Sequence, residues 1–243
     1  MTVEDPYLIP GTDVLRNLVG ATDRAMLDAA ESDLVLARLT QFWQDPPEAA
    51  GTVEQMQEIH GFLFQDVYDW AGELRTINIS KSGLFQPVEY FPQAISYAEN
   101  TLLEDNMLKG LDKSSFVSRL SLHFDDFNTL HPFREGNGRT QRVFWSLVAH
   151  DAGWQIDWTQ ISKAENIKAS RAAMLHGDRG PLEKMFGRVT VSREALAEGE
   201  RIDRLVGASH ARRSSRVNLQ VPHREAARKE GRSNGPGGLS RYE

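Results

Sequence analysis

The stretch His131-Pro132-Phe133-Arg134-Glu135-Gly136-Asn137-Gly138-Arg139-Thr140-Gln141-Arg142 decides the reading of this chain. A histidine comes first, then an acid four residues on, then Gly136-Asn137-Gly138 with two arginines close behind. Pro132 disfavours helix at the residue before it, so a helix arriving from the N-terminal side ends here. Gly136 and Gly138 suit a backbone that opens a new helix and lets an anion approach. The start of that helix carries unpaired N–H groups and a positive partial charge. Arg139 and Arg142 are three residues apart, share one helix face, and can grip a polyphosphate together. Glu135 offers the hard oxygen that Mg²⁺ prefers. The intrinsic pKa of an imidazole suits His131 to take a proton near neutral pH. Base, metal ligand, anion cradle and cationic clamp are what phosphoryl or nucleotidyl transfer requires.

Outward from this loop the apolar spacing is helical. Phe116, Leu120, Phe124 and Phe127 predict the helix that ends at His131. Its successor is expected from Asn137 or Gly138 to about Asp151, stopped near Gly153. Leu27, Ala30, Leu34 and Ala37 mark a helix capped by Thr22 or Asp23. Val53, Met56, Ile59, Leu63 and Val67 mark another, capped by Thr52. Ile95, Ala98 and Leu102 follow Pro92, which suits a first turn. Ser162 with Glu165 has the capping-box spacing, and Pro181 opens a helix whose inner face is Leu182, Met185, Phe186 and Val189. Residues 74–91 break the pattern. They alternate around Ile77 and Ile79 and turn at Ser82-Gly83, which predicts a short β-hairpin. The expected class is an all-α helical bundle with one small hairpin. Trp70, Trp145, Trp154 and Trp158 read as packing residues.

The 243 residues suit one large domain with a tail, and 40% apolar residues suffice for a core. The expected division is a domain over residues 1–198, with its core at about 52–190, and a tail over 199–243. The net charge of −6 is unevenly spread. Residues 199–243 hold ten basic and five acidic residues, which leaves −11 for residues 1–198. An acidic body argues against direct nucleic-acid binding by the domain. The Gly-, Ser- and Arg-rich tail reads as solvated chain, with a docking or secretion signal as the sharper alternative. There is no cysteine, hence no disulfide, thiolate metal site or Cys nucleophile. The N-terminus lacks a secretory pattern and no apolar run is long enough for a bilayer, so the expected compartment is the cytoplasm.

Residues 131–142 resemble the Fic motif, His-Pro-Phe-x-(Asp/Glu)-Gly-Asn-(Gly/Lys)-Arg-x-x-Arg, at every fixed position. DVYDWAGELRTINIS at 66–80 is similar to the segment leading into that family's flap hairpin, and DPYLIPGTDVLRN at 5–17 to the start of bacterial Fic toxins paired with a small antitoxin. The resemblance runs over about residues 5–195. It implies the Fic fold and a protein adenylyltransferase that moves AMP from ATP to a hydroxyl of a protein. His131 would be the general base, Phe133 a buried anchor, and Glu135 the Mg²⁺ ligand. Gly136, Asn137 and Gly138 would form the anion hole, with Arg139 and Arg142 on the phosphates. Thr76, Ile77, Asn78, Ile79, Ser80 and Lys81 would form the flap that aligns an extended target segment. Gly138, where Doc-like kinases carry Lys, implies attack at the α- rather than the γ-phosphorus.

The family's inhibitory motif is (Ser/Thr)-x-x-x-Glu-(Gly/Asn). None of the glutamates followed by Gly or Asn (Glu99, Glu135, Glu165, Glu198 and Glu230) has Ser or Thr four residues earlier. The resemblance therefore implies an antitoxin that supplies this glutamate in trans to Arg142. It also implies targets among the ATPase subunits of DNA gyrase and topoisomerase IV. Two rivals stand beside it. His60, His123 and His150-Asp151 fit the pattern of helical metal phosphohydrolases, and the hairpin with the basic tail would suit a non-enzymatic interaction module.

Overall fold

A computed structural model of the protein describes residues 5–80 and 85–193. The tail over 199–243 lies outside the described residues. Within them the helices are α1 (Arg24–Phe42), α2 (Val53–Phe64), α3 (Phe91–Glu104), α4 (Lys113–Leu130), α5 (Asn137–Asp151), α6 (Lys163–His176) and α7 (Gly180–Val189). Four of them start where a side-chain oxygen accepts an otherwise unpaired N–H. Asp23 caps α1 through Met26, Thr52 caps α2 through Gln55, Asp112 caps α4 through Ser115, and Ser162 caps α6 through Glu165. The capping box of α6 is half formed, because the Glu165 carboxylate reaches Arg188 instead, at 2.7 and 2.8 Å.

The centre is α5. Phe144, Trp145, Val148 and Ala149 are fully buried, and the helix is apolar around most of its circumference, as a core helix must be. It is packed by α2, α4 and the short strand that follows it. α1 lies on α2, and Arg38 fixes the turn after α2 by a bidentate pair with Asp66, at 2.6 and 2.8 Å. Val67 continues the apolar row of α2 but lies outside the helix. The helix ends at Phe64, and Val67 closes a turn by donating its N–H to the Phe64 carbonyl.

The small sheet is not where the sequence pattern places it. β1 (Trp154–Ile156) pairs antiparallel with β2 (Thr190–Ser192), in the register Trp154↔Ser192, Gln155↔Val191 and Ile156↔Thr190. Three-residue strands are too short for alternation to register in a sequence. In the segment expected to be a hairpin, the described residues form no continuous strand, and Ser80 alone carries a bridge. Its turn at Ser82-Gly83, together with Lys81, lies outside the described residues. Among the described residues the two arms run together, and side chains join them. The Asn78 side-chain oxygen accepts the Val88 N–H at 2.9 Å, and Arg75 donates to the carbonyls of both Ile77 and Gln86.

Candidate active site

α4 and α5 meet at the loop 131–136, and the chemistry of helix ends shapes it. The last carbonyls of α4 need partners from outside the helix. The Phe127 carbonyl accepts the His131 N–H at 3.2 Å, and the Thr129 carbonyl accepts the Gln86 N–H at 2.9 Å. Arg75 donates to the Leu130 carbonyl at 3.3 Å and to that of His131 at 2.9 Å. His131 itself adopts the left-handed conformation, with φ 45° and ψ 62°, which is unusual for a residue other than glycine. That turn swings its ring out of the helix path and against Phe85, with centroids 3.7 Å apart and planes 11° from parallel. The ring Nδ1 lies 3.3 Å from the Asn128 carbonyl. A proton on Nδ1 makes that hydrogen bond and leaves Nε2 as the basic nitrogen.

The loop is braced from within and from below. Asn137 donates to the Phe133 carbonyl at 2.7 Å and accepts the Phe133 N–H at 3.0 Å. The Asn137 side chain thus closes the loop through its oxygen and one of its N–H groups, and its main-chain N–H lies at the start of α5 where an anion can reach it. Phe133 is fully buried, as expected of an anchor. Beneath it His60 stacks at 4.1 Å. His60 accepts the Gly72 N–H at Nδ1 (2.8 Å), so Nε2 carries the proton and donates to the Glu135 carbonyl at 3.0 Å. Burial lowers the His60 pKa to about 4 and keeps the ring neutral. The N-terminal segment also grips the loop, since Asp5 accepts two bonds from Arg134 at 2.7 and 2.9 Å.

Gly136 caps α5 with φ 80°. Its carbonyl accepts the N–H groups of both Arg139 and Thr140, each at 3.1 Å. The N–H groups of Asn137 and Gly138 precede these bonds, and helix geometry gives them no partner within α5. A Cβ on Gly138 would meet nothing within 4 Å. That open space beside a helix start is what a phosphate needs.

The arginines differ. Arg139 lies 2.5 Å from the Glu31 carboxylate of α1 and 4.0 Å from Glu135, with its guanidinium 4.8 Å from the Phe64 ring. Glu31 is buried, and its second oxygen accepts the Tyr68 hydroxyl. Burial, followed by the Glu31 charge, raises the Tyr68 pKa and keeps the phenol protonated. Arg142 sits deeper, over Trp158 at 5.9 Å. Its pKa is lowered, first by burial and then by the charge of Arg139, with no carboxylate among the causes.

Two cavities flank this loop and share Glu135, Arg139, Arg142, Trp158 and Lys163. One, of about 1160 Å³, adds His131, Gly136, Asn137, Gly138 and an apolar end with Ile161, Ile167 and Met174. The other, of about 1050 Å³, lies between α1 and the flap arm and includes Ile77, Asn78, Ile79 and Ser80. Thr76, just before this arm, is not among the lining residues, and its N–H donates to the Tyr7 hydroxyl at 3.0 Å. Of the described residues that the resemblance assigns to catalysis, metal, phosphate or flap, all but Thr76 line one or both cavities. The structure adds Glu31, His60, Arg75 and Trp158, none of which the sequence marks for a role in this site.

The other histidines engage separate partners. His123 pairs with Asp105 at 2.7 Å and His150 with Asp151 at 3.1 Å. Among the described residues no three His, Cys, Asp or Glu side chains gather as a metal site, so nothing supports the phosphohydrolase pattern. None of the described helices is long and apolar enough to cross a membrane.

The sequence profile of the Fic/DOC family matches residues 51–149. Protein adenylyltransferase VbhT of Bartonella schoenbuchensis is 37% identical over 169 residues, which cover 68% of this chain and 35% of that protein. The chain therefore spans about a third of that relative. Probable protein adenylyltransferase Fic of Escherichia coli is 33% identical over 186 residues, covering 76% of this chain and 92% of that protein. Among solved structures, BepC from Bartonella tribocorum with bound AMPPNP superposes with a TM-score of 0.75 at 27% identity, covering 79% of this chain and all of that one. The N-terminal Fic domain of a Bartonella quintana effector with bound ADP gives 0.73 at 26% identity, covering 76% of this chain and 94% of its own.

Proposed function

Because this chain belongs to the Fic/DOC family, we propose that it is a protein adenylyltransferase, moving AMP from ATP to a hydroxyl side chain of another protein. The observation that carries the reading is the shared cavity. One space holds the His131 ring, the start of α5, Glu135 and both arginines. Its apolar end, with Ile161, Ile167 and Met174, suits a purine base. The nucleotide-bound Bartonella structures of the same fold support a nucleotide there.

In this reading Nε2 of His131 takes the proton of the target hydroxyl. The oxygen attacks the α-phosphorus, the bond from that phosphorus to its bridging oxygen breaks, and pyrophosphate leaves. The main-chain N–H groups of Asn137 and Gly138 and the two guanidiniums hold the phosphate charge. Mg²⁺ is commonly held by one carboxylate together with substrate phosphates, and Glu135 provides such a carboxylate at the edge of both cavities. When bound, the ion would neutralise phosphate charge. The flap arm Thr76–Ser80 would align an extended target segment by main-chain pairing.

Arg142 bears on regulation. A largely buried guanidinium with no carboxylate beside it among the described residues favours any anion that reaches it, whether phosphate or the glutamate of an inhibitor. Since no inhibitory motif occurs in the chain, we assign that glutamate to a separate small antitoxin, which makes this protein the toxin of a pair. The ATPase subunits of gyrase and topoisomerase IV are the first acceptors to try, and the cytoplasm is the compartment they imply.

The test is ATP labelled at either the α- or the γ-phosphorus, with those subunits and a bacterial lysate as acceptors. Expected is α-label on protein, reduced about 10²–10⁴-fold in His131→Ala, as loss of a general base requires. Transfer of γ-label would reassign the protein as a Doc-type kinase. Label in neither form would favour a binding module.

A further inference from the structure

Arg75 is 2% exposed, and among the described residues no carboxylate neutralises it. Burial lowers its pKa to about 10, so it stays charged at neutral pH and must be satisfied by oxygen atoms. Among the described residues its side-chain hydrogen bonds all go to main-chain carbonyls, drawn from three separate segments. Nε donates to His131 at 2.9 Å. Nη1 donates to Ile77 on the outgoing flap arm at 2.7 Å. Nη2 donates to Gln86 on the returning arm at 2.5 Å and to Leu130, the last residue of α4, at 3.3 Å. Its own N–H donates to the Pro132 carbonyl at 2.8 Å. The ring of Phe91 supports the guanidinium from one face, 4.7 Å away.

Planarity is what makes this arrangement possible. A guanidinium presents several donors in a fixed fork, whereas an ammonium is a single point on a flexible stem. The carbonyls at the end of a helix also carry partial negative charge, which helps stabilise a cation there without an acid. The consequence is geometric. Both arms of the flap and the carbonyl of His131 are referred to one rigid plane.

We propose that Arg75 is a positioning residue that fixes the flap against His131, and so sets the reach between a flap-docked hydroxyl and the imidazole. The proposal rests on the adenylyltransferase reading above. It predicts damage to the target side of the reaction and little to the nucleotide side, because Arg75 touches neither α5 nor the motif arginines. Misplacement of reacting groups by about 1 Å costs roughly 10²-fold in rate.

Two variants test it. Arg75→Lys keeps the charge but loses the fork, and Phe91→Leu keeps the fork but removes the ring beneath it. Each is assayed for cooperative thermal unfolding, for AMPPNP affinity by calorimetry, and for α-label transfer to a bacterial lysate at saturating ATP. Expected is AMPPNP affinity within about twofold of wild type, with transfer reduced about tenfold or more in Arg75→Lys and severalfold in Phe91→Leu. Unchanged transfer, or AMPPNP affinity that falls in parallel with transfer, overturns the proposal. Should Arg75→Lys fail to fold, Phe91→Leu decides by the same criterion. Wild-type protein that transfers no α-label overturns the adenylyltransferase reading itself and this proposal with it, whereas active wild type beside an equally active Arg75→Lys overturns this proposal alone.

Discussion

Gly138→Ala separates the needs of the fold from those of the phosphates. Gly138 is the second residue of α5, and a Cβ there would meet nothing within 4 Å. Its φ is not in the positive range, so alanine fits the backbone. Alanine is favoured over glycine in a helix by about 0.5–1 kcal/mol. At roughly 2–4 °C per kcal/mol for a domain of this size, the variant should melt about 1–4 °C higher than wild type. Its methyl group, however, occupies the space beside the N–H groups assigned to the phosphates. Loss of one such donor costs about 10²–10³ in rate, and partial obstruction should cost about tenfold to a hundredfold in α-label transfer. The control is Gly136→Ala. There φ is 80°, and a Cβ would lie 2.5 and 2.6 Å from Phe64 ring carbons and 3.1 Å from Nε2 of His60. A left-handed alanine costs about 1–2 kcal/mol and overpacking about 1–3 kcal/mol, so this variant should melt roughly 4–20 °C lower. Calorimetric melting and labelled-ATP transfer are measured on both. A Gly138→Ala protein that transfers AMP at the wild-type rate with an unchanged KM for ATP would refute the placement of the phosphates.

Stability should fall in mild acid because of His60. The unfolded chain binds a proton there below pH about 6.5, and the folded protein refuses it until about pH 4, so stability declines as pH drops through that window, by at most on the order of 3 kcal/mol. Melting curves for wild type and His60→Gln across it should show a shallower decline in the variant. Asp126 behaves oppositely. Burial, then the charge of Asp125, raises its pKa to about 6, so the ionised form burdens the fold above that pH and protonation relieves it below. Asp126→Asn should therefore raise the melting temperature at pH 7.5, with a gain that shrinks below pH 6. Glu31→Gln should lower stability by about 1–2 kcal/mol, because the partly covered Arg139 loses its counter-charge. Chemical denaturation at pH 7.5 measures the loss, and an unchanged midpoint would contradict the pairing.

Local chemistry was readable from the chain, and distant partnership was not. Asp23, Thr52 and Ser162 announce helix starts because capping acts within three residues. His131 through Arg142 announces a site because its groups are adjacent in sequence. Glu31 and Arg139 are over a hundred residues apart, and no pattern in α1 marks one glutamate among its polar residues. Arg75 is equally silent, since its acceptors are carbonyls that every residue possesses. Trp158 reads as packing and is indeed buried, yet its ring lies beneath Arg142. Asn137 is marked by its position in the motif, and nothing in the sequence says that its side chain also braces the loop. The hairpin was expected from alternation around Ile77 and Ile79, but the arms are held by Arg75 and Asn78, which no alternation encodes.

The contact between Glu31 and Arg139 has a wider consequence. α1 precedes the stretch matched by the family profile, yet it holds the counter-ion for one of the two motif arginines. The motif can therefore stay letter-perfect while its working charge is adjusted from a separate helix. A substitution at Glu31 would change that charge and leave the motif untouched, and a comparison confined to the motif would score the two differently tuned proteins as the same.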